Sequence, residues 1–188
     1  MRKLKFSALA LISFIGFTSC SSDDEATFIN EEEVITTITA TFTPIAGGET
    51  VVLTSRDLDG DGPDAPVLTV LGDFVVGTTY TGGVTFLNET ESPAENITEE
   101  VYEEGDEHQI FYQTGGVGTV TYTDQDINNN PIGLSFTFVA NQTATTGNFT
   151  VTLRHEPNKD GEGVAEGDIT NAGGSTDATA TFEVAVVE

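Results

Sequence analysis

From about residue 34 to residue 187, apolar and polar side chains alternate with a period of two, and this one regularity narrows the possible folds more than any motif. In EVITTITATFT (33–43), Ile38, Ala40 and Phe42 alternate with Thr37, Thr39, Thr41 and Thr43. An extended chain with that pattern has one face to bury and one to wet. The same alternation recurs in VVLTS (51–55), VLTVL (67–71), TTYTGGVTF (78–86), HQIFYQ (108–113), GTVTYT (118–123), GLSFTFVA (133–140), NFTVTLR (148–154) and ATATFEVAV (178–186), nine strands in all. No segment carries the i, i+3, i+4 stripe of an amphipathic helix. Gly47-Gly48, Gly72-Asp73, Gly115-Gly116 and Thr146-Gly147 supply turns between strands. LTSRDLD (53–59) and VTYTDQD (120–126) superpose as a weak internal repeat, each a strand running into an acidic loop. The expected fold is all-β: an immunoglobulin-like antiparallel β-sandwich of about nine strands, with a closed barrel as the alternative.

The N-terminus follows other rules. Arg2, Lys3 and Lys5 precede the apolar run FSALALISFIGF (6–17), and Cys20, the only cysteine, follows it. A run of about a dozen residues is too short to span a bilayer, which takes about 20. Basic start, apolar middle and small residues before a cut make a secretory signal. Phe17-Thr18-Ser19-Cys20 resembles a bacterial lipobox, with Phe17 where Leu is usual. The resemblance implies that Cys20 is acylated and becomes the first residue of the mature chain. Ser21-Ser22-Asp23-Asp24-Glu25 is similar to the acidic export signal of Bacteroidota lipoproteins carried to the cell surface. The expected organisation is a signal peptide over 1–19, a lipidated acidic tether over 20–33 and one domain over 34–188. The expected location is the outer membrane, lipid-anchored and facing outward, with the bilayer as partner through Cys20.

Cleavage would leave Arg56, Arg154 and Lys159 as the only basic residues against 31 acids, a formal net charge of −28. Nucleic acid needs a basic footprint that such a chain lacks, so it is excluded as a partner. Cations and cationic partners fit. If consecutive strands alternate in direction, the loops at 56–66, 87–107, 124–132 and 155–177 share one pole and hold 21 of the acids, while the turns of the other pole hold Glu49 and Asp73. That asymmetry points to a cation-binding end.

Within that pole DLDGDGPD (57–64) is the sharpest motif, because alternating carboxylates about a glycine can converge on a hard ion. Asp57, Asp59 and Asp61 with Gly62 match the opening of an EF-hand loop, yet Leu68 stands where the bidentate Glu belongs. Asp57, Asp59, Asp61 and Asp64 are therefore candidate calcium ligands of a free-standing loop, against an ordinary Asp/Gly turn. DQDINNN (124–130) offers a poorer set in Asp124, Asp126 and Asn128. His108 opens one strand and His155 closes another. The parity argument places both at the acidic pole beside Glu107 and Glu156, and two histidines with a carboxylate suit zinc or another transition metal. Four Asn-x-Thr matches, at Asn88, Asn96, Asn141 and Asn148, follow from threonine-rich strands and carry little information in a bacterial chain.

GDEHQIFYQ (105–113), YTDQDINNNPIGL (122–134) and LRHEPNKDGEGVAEGDITNAGG (153–174) resemble segments of a group of small Bacteroidota lipoproteins of unestablished function. These often bear the label type 1 periplasmic binding fold protein. That fold is two-lobed, α/β and much longer, so the label does not fit a chain with this alternation, and no activity is carried over. The expected function is a non-enzymatic, cation-binding surface lipoprotein, possible accessory to an outer-membrane uptake receptor. The alternatives are a structural or adhesive surface module rigidified by calcium, and a carboxylate-based hydrolase.

Overall fold

A computed structural model describes residues 33–60 and 62–188. Cys20, the acidic run that follows it and Asp61 lie outside the described residues. Ten strands follow in chain order: β1 Thr37–Pro44, β2 Val51–Arg56, β3 Val67–Leu71, β4 Phe74–Val75, β5 Thr79–Leu87, β6 His108–Gln113, β7 Gly118–Tyr122, β8 Ser135–Ala140, β9 Thr145–His155 and β10 Ser175–Val187. They form a sandwich of a six-stranded sheet, ordered β3-β2-β1-β5-β8-β7, and a four-stranded sheet, ordered β4-β10-β9-β6. Every pairing is antiparallel except that of β4 with β10. The expected antiparallel sandwich is what forms, with ten strands in place of about nine. The addition is β4, a two-residue strand too short to show alternation.

The inner faces are those the alternation marks. Ile38, Ala40 and Phe42 of β1, Phe136 and Phe138 of β8, Phe149, Val151 and Leu153 of β9, and Phe182, Val184 and Val186 of β10 make one core. Phe42 stands at its centre, edge-on to Phe74, Phe136, Phe138 and Phe149 with ring centroids 5.0, 5.4, 5.5 and 5.3 Å away. Each such pair adds about 0.5–1.5 kcal/mol beyond the area it buries.

Two features depart from the sequence expectation. A helix, α1, spans Ile97–Glu103 within a segment read as loop. It buries only Ile97 and Val101, one i, i+4 pair, which is too little to register as a stripe. Its position follows from the sheet: β5 pairs with β8 as far as Gly83, the Val84 N–H still donates to the Leu134 carbonyl at 3.0 Å, and β8 reaches no further along β5. There Thr98 Oγ1 accepts from the Phe86 N–H at 2.8 Å and donates to the Phe86 carbonyl at 3.1 Å. The folded body also includes Glu33, which the sequence reading assigned to the tether.

The long loop from Glu156 to Gly174 covers the outer face of the four-stranded sheet, where Phe111, Val164, Ala172 and Ile169 form a second small core. Its anchor is Lys159, whose side chain is 5 % exposed and whose Nζ donates to Asp126 at 2.9 Å, to the Pro131 carbonyl at 3.0 Å and to the Gly105 carbonyl. Three segments that are distant in sequence therefore meet around one buried ammonium group.

Candidate metal centre

The register of β6 against β9 pairs His108 directly with His155. Counting back by twos from Tyr112 and Ile110 on one strand, and forward by twos from Val151 and Leu153 on the other, both histidines take the inner face at the end of the core. Both are buried, and their rings stack 4.7 Å apart at an interplanar angle of 24°.

The third member of the cluster comes from an irregularity. Between β9 and β10 the register runs Thr176 with Arg154, then Ala178 with Leu153, so Asp177 is an extra residue, a β-bulge. A bulge re-aims a side chain that alternation would send the other way. Ala178 packs against the core, and Asp177, its side chain 1 % exposed, turns to the same side. Its Oδ2 lies 3.8 Å from His108 Nε2 and its Oδ1 lies 3.8 Å from His155 Nδ1. Gly174 holds the entry to β10 against the end of β9. It has a φ of +68°, and a Cβ there would stand 2.1 Å from the His155 carbonyl oxygen.

The protonation of His108 follows from its partners. Its Nδ1 lies 3.1 Å from the Glu104 carbonyl oxygen, which can only accept, so Nδ1 carries the proton in that contact. In the neutral ring Nε2 is then a bare lone pair. It is sealed from solvent without a hydrogen-bond partner, and a carboxylate oxygen faces it. Carboxyl groups crowd the same region. Glu33 and Glu104 each place a carboxylate oxygen near His108, and Glu107 and Glu156 do the same at His155. Burial, and then the negative charges of Glu100, Glu104 and Asp177, push Glu33 up to about 7. Burial is the larger cause, and the neighbouring carboxyl groups add to it.

Asp177 also lines a cavity of about 630 Å³. Glu33, Asp57 and Asp59 share its wall, and no Lys, Arg or His is among the described residues that line it. The DLDGDGPD loop thus opens on the same space that Asp177 borders. Asp57 Oδ1 is sealed without a hydrogen-bond partner. Asp59 folds back on its own loop, accepting the Asp64 N–H at 3.3 Å, and lies so close to Gly62 that a Cβ there would meet its Oδ2 at 2.0 Å. Asp61 falls outside the described residues, and Leu68 sits exposed on β3.

The DQDINNN residues are occupied otherwise. Asp124 accepts the N–H groups of Gly133 and Ser135 at 2.8 and 2.9 Å. Asp126 accepts those of Asn128 and Asn130 at 2.8 and 2.9 Å besides the Lys159 ammonium. These carboxylates build a loop. Asn128 lies exposed beside them. Glu156 is exposed, with its N–H donating to the Glu107 carbonyl at 2.7 Å, and borders His155 from outside the buried triangle. The parity argument set the two histidines at one pole without fixing their separation, and it did not single out Asp177 as their neighbour.

No protein-family model matches the chain, and neither a curated protein nor a solved structure is significantly similar to it. The chemistry of the site therefore rests on the geometry above.

Proposed function

We propose that the chain is a non-enzymatic cation-binding module, a β-sandwich displayed on the cell surface by a lipid on Cys20. The observation that carries the reading is the cavity at the acidic pole. Four acidic residues, Glu33, Asp57, Asp59 and Asp177, border it with no basic residue among its described walls. Glu33 and Asp57 are half-buried there, where like charges crowded together are costly, and a bound cation removes that cost directly. The chain enters the folded body at Glu33, beside this cavity. A lipid on Cys20 would then hold the cavity within about 45 Å of the bilayer, the reach of a fully extended 13-residue segment. That distance suits an accessory that passes an ion to a receptor in the same membrane.

A second reading, a structural or adhesive module in which the ion only stiffens the pole, is favoured by β3. Its Val67, Leu68, Val70 and Leu71 are exposed on an edge strand of the six-stranded sheet, the kind of edge that pairs with another chain.

The test is metal retention. Full-length protein, stripped with a chelator and dialysed against micromolar calcium and zinc in physiological salt, should retain at least one equivalent of metal by elemental analysis. Retention of neither ion above the buffer level refutes the cation reading.

A further inference from the structure

We infer that His108, His155 and Asp177 form a buried site for one divalent transition-metal ion of the zinc class, which joins the ends of β6, β9 and β10. The inference rests on the cation-binding reading and deepens it by naming the ion class and the ligands. Calcium and magnesium select oxygen donors, whereas two imidazoles with one carboxylate select zinc and its neighbours.

Three observations carry it. The first is the donor spacing. His108 Nε2 lies 3.8 Å from Asp177 Oδ2 and His155 Nδ1 lies 3.8 Å from Asp177 Oδ1, and one donor atom from each of the three residues lies within 4.8 Å of the others. At 3.8 Å from Asp177 Oδ2, His108 Nε2 stands outside hydrogen-bond distance of it. Ligands bound at about 2.0–2.2 Å to one tetrahedral ion stand roughly 3.3–3.6 Å apart, so closure draws the donors together by up to about an ångström. The stacked rings must also rotate to aim both lone pairs at one point.

The second is the orientation of His108. Metal-binding histidines commonly donate the other ring N–H to a backbone carbonyl or carboxylate, which fixes the tautomer and the plane of the ring. The Glu104 carbonyl plays that part at Nδ1. Nε2 is left as a fully buried lone pair with no hydrogen-bond partner, facing a carboxylate oxygen. Only a positive centre between them makes that approach favourable. A proton is the competing occupant, which would make His108 an imidazolium paired with Asp177.

The third is access. Asp177 borders the cavity although its carboxylate oxygens are sealed, so an ion reaches the ligands as the pole opens locally, and Glu33 and Glu104 offer further donors beside His108. Burial of the three ligands implies slow exchange and a resident ion.

Cobalt(II) and zinc titrations of chelator-stripped, full-length protein test the site. One cobalt per chain should produce the intense visible d–d bands of a four-coordinate nitrogen–oxygen site, and one equivalent of zinc should abolish them. Weak bands of an octahedral all-oxygen site in the unaltered protein refute the inference whatever the variants do. His108→Ala and His155→Ala should each weaken zinc by about a hundredfold or more, an effect larger than the loss of an orienting partner. Asp73→Asn at the opposite pole should leave zinc affinity unchanged, with far-UV circular dichroism verifying the fold of each variant. Zinc bound equally by the histidine variants places the ion elsewhere at the pole and overturns the inference, as does calcium retained without zinc, which leaves the cation reading standing. Retention of neither metal overturns both and assigns the cluster to an imidazolium–carboxylate pair.

Discussion

Lys159→Met removes the one ammonium group that ties the covering loop to the sandwich. It leaves Asp126, whose side chain is 1 % exposed, with an uncompensated charge. It also deprives the carbonyls of Gly105 and Pro131 of a donor. Breaking one side of a buried ion pair costs about 3–5 kcal/mol, whereas an exposed pair is worth less than about 1 kcal/mol. Asp126 keeps the N–H groups of Asn128 and Asn130, so the lower end applies, about 3 kcal/mol. For a chain of this size that is a fall in Tm of roughly 6–12 °C. Methionine keeps most of the buried stem, so little of the loss is packing.

The assay is urea unfolding followed by far-UV circular dichroism, since the chain has no tryptophan to report by fluorescence. Adding Asp126→Asn removes the stranded charge while keeping an oxygen for the two backbone donors, so the double variant should be more stable than Lys159→Met alone. The effect has a pH signature. Burial disfavours the Asp126 carboxylate, but the Lys159 hydrogen bond and charge and the Asn130 and Asn128 N–H groups outweigh it and hold the carboxyl below its usual value. A depressed acid stabilises the fold fully above its unfolded pKa and loses that contribution as pH falls through the folded one. The gap between wild type and Lys159→Met should therefore be widest near neutrality and close below about pH 4. A loss under 1 kcal/mol at pH 7, or a gap independent of pH, refutes the buried-clamp reasoning.

Three further outcomes are expected. Gly174→Ala sets a Cβ against the His155 carbonyl at a positive φ, and should cost about 1–3 kcal/mol in urea unfolding while weakening zinc; wild-type stability would show that the β10 entry yields freely. Millimolar calcium should raise Tm beyond sodium chloride of equal ionic strength, and Asp57→Asn with Asp59→Asn should abolish the difference; an identical Tm in both salts makes the loop a plain turn. Cys20→Ala should release the protein from membranes, and replacing Asp23, Asp24 and Glu25 by Ala should leave it anchored but hidden from external protease; a triple variant still cleaved on intact cells removes the export-signal reading.

Much of the sandwich was legible because period two is the signal a strand facing one core leaves in sequence. Nine of the ten strands carry it, and alternating directions were enough to set His108 and His155 at one pole, though not to fix their separation. What stayed hidden is where the backbone, rather than the side-chain pattern, sets the outcome. β4 has two residues and no period. α1 exists because β5 outruns β8, and its two buried residues make no stripe. Asp124 and Asp126 look like ion ligands in sequence because the residues that make calcium loops also make turns. Only the positions of the Gly133, Ser135, Asn128 and Asn130 N–H groups show that these lone pairs are already in use.

Asp177 is the most instructive case. Counting back by twos from Val184, Phe182, Ala180 and Ala178 puts Thr176 inside and Asp177 in solvent, one more acid on an acidic surface. A single inserted residue reverses that and brings a carboxylate against two imidazoles in the least accessible part of the pole. No residue in STDATATF marks the insertion, since bulges without glycine have weak sequence signatures. A carboxylate moved from water to such a position costs several kcal/mol unless positive charge or hydrogen bonds meet it there. The imidazoles can meet it as imidazolium partners or as fellow ligands of an ion. The Glu104 carbonyl already takes the Nδ1 proton of His108, so the two states differ in what stands between Nε2 and Asp177, and added zinc should displace protons in measurable number if the site starts as imidazolium.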